Sequence, residues 1–163
     1  MPRAINALDL LRQDHRRVLT LLRQFEKSDD QREQRELCHE IITELDTHTM
    51  LEEDCFYPFV REATDRLDLI EEATIEHTTA KELMRELAQG GQDPVRFIAL
   101  GKVLGEYVNL HVRDEEERIF PIVQKLGIDL EALGEELAER KRAPAARTSG
   151  NGQRRSAGKN QRA

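Results

Sequence analysis

The feature that most constrains this chain is a stretch that occurs twice. HTMLEEDCFYPFV begins at His48, and HVRDEEERIFPIV begins at His111. In each copy a Glu follows the His by four residues, and side chains four apart lie one above the other on a helix face. Imidazole and carboxylate side by side supply half of the ligands that a metal ion needs. The repeat therefore predicts two helices with a His-Glu pair each, the carboxylates being Glu52 and Glu115.

The duplication continues upstream of both stretches. Asp14 precedes His15 in the first half, and Glu76 precedes His77 at the corresponding place in the second half. Each half thus carries a His preceded by an acidic residue and, further on, a His-x3-Glu pair. An internal repeat of this kind predicts two related helical hairpins, which together fix the architecture.

Composition agrees with a helical, water-soluble class. The chain has 163 residues, a natural length for one domain, with 35% charged residues, few Gly and Pro and no Trp. The N-terminus has no signal-peptide pattern, and no apolar run reaches the roughly 18–20 residues that span a bilayer. Cys38 and Cys55 lie on one predicted helix, roughly 25 Å apart, too far for a disulfide. We therefore expect a cytoplasmic protein with no membrane segment.

Apolar residues at spacings of three and four predict four long helices, over 6–26, 30–62, 67–89 and 93–125. Short connections between them favour an all-α, up-down antiparallel four-helix bundle that occupies residues 1–127. A short C-terminal helix is predicted over 129–140, within the segment 128–142. The inward stripe of the second helix is expected to continue through Cys55 to Phe59, and Pro58 is expected to kink or loosen the end of that helix.

The C-terminal segment 143–163 is predicted to be a disordered basic tail. Residues 141–163 hold seven basic and no acidic residues, so the remainder, with 18 basic against 32 acidic residues, carries a net charge of −14. A basic tail can attract nucleic acid or another polyanion. This one has no aromatic residues to stack on bases, so a solubilising extension is favoured and nucleic acid is not expected as a partner.

One His falls on the apolar stripe of each predicted helix. They are His15, His48, His77 and His111, whereas His39 lies on an outer face. Taken alone, such a His is more often a hydrogen-bonded core residue, and a lone His-x3-Glu pair is more often a solvated face. Four inward His together with two inward Glu in duplicated contexts favour a metal site instead, because buried carboxylates are costly unless paired or metal-bound.

These motifs, over residues 7–125, resemble those of the hemerythrin-like HHE cation-binding family. The resemblance implies a hemerythrin-like bundle around two iron ions joined by an oxo or hydroxo bridge. It assigns terminal nitrogen ligands to the four inward His and bridging roles to the two Glu, so the metal set is His15, His48, Glu52, His77, His111 and Glu115. Zinc and manganese remain open, since such ligands admit several metals.

The chain departs from the oxygen-carrying hemerythrins in two respects. Those proteins have a second His on the third helix, four residues from the first, where this chain has Ala73 and Lys81. Their fourth helix also spaces its carboxylate one residue further from its His. The irons would keep open positions for O2, NO, peroxide or water. The resemblance therefore does not imply that this chain is a reversible oxygen carrier.

Several other polar residues and two glycines lie near these candidate ligands in the sequence. Tyr107 lies one turn before His111 and is interpreted as a core aromatic, as a hydrogen-bond donor beside the metal or as a replacement oxygen ligand. Asp14, Glu53, Glu76 and Glu116 are candidates to orient the imidazoles or to remain in solvent. The glycine pair Gly101 and Gly105 lacks the spacing of a phosphate loop and is interpreted as permitting close helix packing.

The sequence therefore predicts a non-haem di-iron protein that binds or senses a small ligand, or handles iron. The partner would be O2, NO or peroxide. An enzyme of peroxidase or catalase type is the alternative, and no catalytic residue is assigned. A metal-free structural bundle is the third hypothesis. The oligomeric state is not predicted.

Overall fold

The computed structural model describes residues 4–91 and 93–143, and in these ranges every regular element is a helix. Two of the long helices each contain one π-helical turn, so that α2, π1 and α3 run on without a break, as do α5, π2 and α6. The elements are α1 Ala7–Lys27, α2 Gln31–Leu51, π1 Glu52–Phe56, α3 Tyr57–Ala63, α4 Leu67–Gln89, α5 Pro94–Asp114, π2 Glu115–Ile119, α6 Phe120–Lys125 and α7 Leu130–Arg142.

Side-chain caps set the start of three of the four long helices. Asn6 accepts a hydrogen bond from the backbone N–H of Leu8 ahead of α1, and Asp30 caps α2 in the same manner. Asp93 caps α5, whose first residue is Pro94, where the missing N–H costs nothing. In the connection between α4 and α5, Gly90 has a φ of 65°, and this left-handed backbone ends α4.

The four long helices pack as an antiparallel bundle, as the sequence predicts. α1 lies against α2 and α5, and α4 lies against α5 and α2. Two apolar clusters fill the interior, one around Leu11, Phe56 and Phe120, the other around Leu22 and Leu104. The four inward His lie between these clusters along the helices, so the metal-ligand candidates occupy a polar layer in an otherwise apolar core.

The π turns change which residues face inward beyond each Glu. At π1 the backbone N–H of Tyr57 bonds to the carbonyl of Glu52, one residue further back than in an α-helix. A constant α-helical period predicts that Phe59 faces inward, but Phe59 is 39% exposed while Tyr57 and Val60 are buried. That part of the prediction is wrong, because the wider turn shifts the inward face by one residue.

The C-terminal helix α7 packs against α1, α2 and π1. Leu133 and Leu137 are buried in the same apolar cluster as Phe56. Gly134 lies against the backbone carbonyl of Ile5, and a Cβ there would overlap that oxygen. The predicted fifth helix is therefore an integral layer on the bundle.

Residues 1–3, 92 and 144–163 lie outside the described residues, so the predicted disordered tail does as well, apart from Ala143. The predicted boundaries at 127 and 142 stay predictions. In the described part of the chain, no helix combines the length and apolarity that a bilayer crossing requires.

Candidate metal centre

The six side chains singled out by the sequence meet at one level of the bundle core. Each long helix contributes one His, and the second and fourth add one Glu each. None of the six residues is more than 7% exposed, and they are His15, His48, Glu52, His77, His111 and Glu115. Buried imidazoles and carboxylates at this density are costly unless they are paired or bound to a cation.

Glu52 stands between two pairs of imidazoles. Its Oε1 lies 3.1 Å from His48 Nε2, and its Oε2 lies 2.9 Å from His77 Nε2. The ligand atoms accordingly form two groups that share Glu52, each with its atoms within 4.8 Å of one another: His15, His48, Glu52 and Glu115 in one, and Glu52, His77 and His111 in the other. A carboxylate that turns one oxygen towards each His pair is placed to bridge two metal ions.

Glu115 is oriented differently from Glu52. Its Oε2 lies 3.0 Å from His15 Nε2 and 3.9 Å from His111 Nε2. Its Oε1 accepts a hydrogen bond from the hydroxyl of Tyr57. The structure thus groups Glu115 with the His15–His48 pair, and only Glu52 turns one oxygen to each pair.

The donor atoms fit a metal ion. Nε2 atoms of His15 and His48 lie 3.1 Å apart, as do those of His77 and His111. Two nitrogen ligands about 2.1 Å from one ion and at right angles to each other lie about 3.0 Å apart. Glu52 Oε1 and Glu115 Oε2 are buried without a hydrogen-bond partner among the described residues. A cation would satisfy both the converging lone pairs and these orphaned oxygens.

The outer ring nitrogens of three imidazoles are held by carboxylates. Nδ1 lies 2.7 Å from Glu116 in His15, 2.9 Å from Glu53 in His77 and 2.8 Å from Glu76 in His111. An imidazole that donates from Nδ1 turns its Nε2 lone pair towards the centre, which is the arrangement usual for metal-bound His. Three of the four acids considered at the sequence level therefore lie where they can orient a ligand.

His48 is the exception. Asp14, which corresponds to Glu76 in the repeat, is one methylene shorter, and its Oδ2 lies 3.8 Å from His48 Nδ1. Neither of these two buried atoms has a hydrogen-bond partner among the described residues. The other oxygen of Asp14 accepts a hydrogen bond from Lys141 of α7.

Charge within the cluster shifts the pKa values of its members. Burial lowers the pKa of His111, but hydrogen bonds to Glu52 and Glu76 outweigh burial and raise that pKa to about 10. Burial raises the pKa of Glu52, but the imidazoles around it, His48 foremost, hold that pKa well below its usual range. Burial and the charge of Glu52 together raise the pKa of Glu115. In the metal-free state, protons on the imidazoles whose pKa is raised, such as His111, thus balance the buried carboxylate charge.

Comparison with known proteins agrees with this arrangement. The sequence model of the hemerythrin HHE cation binding domain matches residues 6–123, a span that holds all six residues. The chain belongs to the hemerythrin HHE cation-binding family. Its buried His/Glu clusters are those of a metal-binding member of that family.

Two relatives of this HHE domain differ in how much they share with it. The crystal structure of a hemerythrin HHE cation binding domain-containing protein from Mycobacterium kansasii is 27% identical, with a TM-score of 0.71 over 84% of this chain and 85% of that one. A DNA nickase from Nostoc sp. is 28% identical over 120 residues, which are 74% of this chain and 34% of that protein. This chain therefore spans about a third of the nickase. The structural likeness covers most of both chains, so the predicted fold is confirmed.

A hydroxyl that the sequence analysis did not single out lies inside this HHE centre. Tyr57 is 2% exposed, and its oxygen lies 3.0 Å from Glu115 Oε1, 3.2 Å from Glu52 Oε2 and 3.4 Å from His77 Nε2. Burial and the charges of both carboxylates raise the pKa of Tyr57 well above its usual value, so the hydroxyl keeps its proton.

The signal for Tyr57 was a break in the repeat. The equivalent position in the second half is Phe120, which stacks on His15 with ring centroids 6.0 Å apart. A Tyr at a position that is otherwise a core Phe brings one polar atom that needs a partner. The π turn, which no periodicity revealed, then directs that atom to the ligands.

Tyr107 occupies a more peripheral place than expected. It is 38% exposed, and the buried position next to it belongs to Val108. Its ring borders a narrow cavity that reaches the four inward His and is otherwise lined mainly by apolar side chains, among them Leu45, Ala80 and Val112. Tyr107 makes no hydrogen bond to the ligand candidates within the described residues. Its role as a donor beside the metal stays a prediction.

Proposed function

We propose that this metal-binding, hemerythrin-like protein holds two iron ions, one at each His pair, and that the iron pair binds a small ligand. The ligand would be O2, NO or peroxide, and the protein would sense it, scavenge it or handle iron. Iron supplies reversible one-electron chemistry and open positions for such ligands. The residues proposed to hold it are His15, His48, Glu52, His77, His111 and Glu115.

The position of Glu52 carries the proposal. Its two oxygens face different His pairs at 3.1 and 2.9 Å, so one buried carboxylate serves two cation positions. A single-metal site would leave one of the two imidazole pairs with converging lone pairs and no cation. Imidazole and carboxylate together suit iron, whereas thiolate, the ligand that soft metals prefer, is not among the groups of residues placed to bind.

The surroundings of the site support a small, uncharged ligand. The cavity that reaches the imidazoles is otherwise lined mainly by apolar side chains, so a charged molecule would lose much of its hydration on entering it. The structure offers four ligand residues to one metal position and three to the other. An iron ion that prefers six ligands would therefore keep positions to which a diatomic molecule can bind.

Anaerobic loading with Fe(II) tests the proposal. In the wild-type protein we expect two irons per chain after removal of unbound metal, because each His pair would hold one ion and Glu52 faces both. Exposure to air should then produce a near-UV charge-transfer band. The double variant Glu52→Gln/Glu115→Gln should lose both, while its side chains keep nearly the same volume. Iron content by elemental analysis and an absorption spectrum on the same sample give the answer.

His39→Gln is the matched control for this experiment. His39 lies on α2, like His48, but is exposed and belongs to neither ligand group. It should retain two irons and the band. Folded wild-type protein that takes up no iron, or as much as the double variant, would contradict the proposal.

A di-iron enzyme that turns over peroxide is the second candidate. The observation that favours it is the buried hydroxyl of Tyr57, a protonated donor within 3.4 Å of both carboxylates and His77. Such a group can deliver a proton to a ligand at the centre. Peroxide turnover by the loaded protein would favour this candidate over simple binding.

The cellular setting is also part of the proposal. Cys38 and Cys55 are both free thiols, as suits the reducing cytoplasm, where we place the protein. No DNA substrate is proposed, because about two thirds of the DNA nickase from Nostoc sp. have no counterpart in this chain.

A further inference from the structure

α7 supplies a charge to a site that the duplicated helices otherwise build by themselves. Neither half of the repeat contains a counterpart of this helix. Leu137 anchors α7 in the core with no exposed surface, and Arg140 pairs with Asp54 of π1 at 3.0 Å. Because the exposed Arg140–Asp54 pair adds little stability, the burial of Leu137 is what holds α7 where Lys141 pairs with Asp14 of α1.

Asp14 and Glu76 occupy equivalent places in the repeat but make different bonds. Glu76 reaches His111 Nδ1 at 2.8 Å. Asp14 lies 3.8 Å from His48 Nδ1 and is bound to Lys141 instead. The side chain of Asp14 is 8% exposed, so water gives it little alternative. Both the free oxygen of Asp14 and Nδ1 of His48 are left without a hydrogen-bond partner among the described residues.

We propose that Lys141 is a positioning residue for the metal centre, which holds Asp14 away from His48 and so leaves this imidazole the weakest nitrogen donor of the four. A carboxylate that accepts the Nδ1 proton makes the opposite nitrogen a stronger ligand. Lys141 draws the carboxylate charge to itself, so His48 lacks that support, while the other three imidazoles have it. The consequence for metal rests on the proposed function; the hydrogen-bond arrangement does not.

Removing the ammonium group should release Asp14 towards His48. A shift of about 1 Å would bring 3.8 Å into hydrogen-bond range, which rotation of the Asp14 side chain can provide. Lys141→Met keeps the aliphatic stem that covers Asp14 and removes only the charge. Arg140→Met is the matched control, since it removes a neighbouring charge on the same helix but leaves Asp14 bound.

The first measurement needs no metal. In protein labelled with ¹⁵N at His, ring N–H protons held by carboxylates give downfield NMR signals protected from exchange. Lys141→Met should show one signal more than wild type, assigned to His48 because it disappears in Lys141→Met/His48→Gln. Arg140→Met and Lys141→Arg should show the wild-type set. A Lys141→Met spectrum with no additional signal, in protein that is folded by circular dichroism, would overturn the proposal.

The second measurement is competitive titration with Zn²⁺, which avoids oxidation. In Lys141→Met, one of two dissociation constants should fall by about 10-fold, the lower end of the effect usual for such outer partners. The other constant, and both constants of Arg140→Met, should stay as in wild type. Identical constants in wild type and Lys141→Met would also overturn the proposal. Wild type that binds no metal would instead refute the proposed function, while the NMR signals still decide the role of Lys141.

Discussion

At the scale of single residues, the two halves of the centre differ in one hydroxyl group. Tyr57 of the first half has it, and Phe120, at the equivalent position of the second half, does not. Tyr57 touches both carboxylates and His77, whereas Phe120 stacks on His15 through an apolar ring. The proposed metal position beside His77 would therefore have a proton donor next to its imidazole, whereas the imidazole of His15 has an apolar ring there. A ligand that needs a proton is expected to react on the Tyr57 side.

Replacing this hydroxyl separates the enzyme hypothesis from binding alone. If the loaded protein turns over peroxide, Tyr57→Phe should lower kcat by roughly 10²-fold or more, the usual loss when a general acid is removed. Iron content should stay at the wild-type value, because the ring and the six ligands remain. Oxygen release measured with an electrode, together with iron content, checks both statements.

Tyr107→Phe is the control for that variant. Tyr107 borders the cavity but is 38% exposed, so loss of its hydroxyl should leave kcat unchanged. Equal turnover in both variants and wild type would remove Tyr57 from the chemistry. A loss confined to Tyr107→Phe would restore the role that the sequence analysis considered for that residue.

The π turns are the decisive feature at the scale of elements. Each begins at a candidate carboxylate ligand and ends just before a Tyr-Pro or Phe-Pro pair, at Pro58 and Pro121. Pro has no N–H to donate and would crowd the carbonyl four residues back in an α-helix. The wider turn relieves this crowding and directs the residue before each Pro into the core. The Glu and the Pro of each repeat copy therefore occur together with the π turn between them.

Close packing of α1 and α5 gives a prediction at the same scale. A methyl group at Gly101 would overlap the ring of Phe25, whereas at Gly105 it would lie 3.7 Å from Leu22, an ordinary contact. We expect Gly101→Ala to lower the free energy of unfolding by about 1–3 kcal/mol through overpacking. Gly105→Ala should raise it by up to about 1 kcal/mol through helix propensity.

Urea denaturation of the metal-free variants, followed by circular dichroism, measures both changes. The pair is matched, since each replaces a helical Gly with Ala on the same helix one turn apart. Equal effects of the two substitutions would show that the distance between α1 and α5 adjusts freely at Gly101.

At the scale of the whole molecule, a polar layer divides the apolar core. Two apolar clusters lie on either side of six buried ligand candidates. Without metal this layer holds charges that only protons and hydrogen bonds balance. The bundle therefore pays in stability for the site, and bound metal should offset that cost.

Metal is expected to stabilise the entire bundle against unfolding. With free metal about 1,000 times above the dissociation constant, the free energy of unfolding should rise by about 4 kcal/mol. Urea denaturation of wild type with Zn²⁺ and with a chelator measures the difference. Glu52→Gln/Glu115→Gln should show little rise. The same midpoint with and without Zn²⁺ in wild type would contradict a role of the site in stability.

Much of this architecture could be predicted from single residues and their spacing. The third helix was predicted over 67–89, and α4 is Leu67–Gln89, because its apolar period is regular and Gly90 ends it. The inward His followed from the same period. The inward position of Tyr57 could not be predicted in this way, because a constant period across Glu52 turns Cys55 and Phe59 inward. The contact of Lys141 with Asp14 could not be predicted either, because the two residues are 127 positions apart in the chain.

The sequence by itself determined the helices, the duplication and the six candidate ligands. These depend on local periodicity and on which residue types bind metal, and both can be read along the chain. Only the tertiary structure decided that Glu52 faces both His pairs, that Tyr57 enters the centre and that α7 brings a charge to Asp14. These features depend on π turns and on contacts between distant segments. Local helix propensity does not distinguish them from the alternatives, so the packing of the whole core decides which one forms.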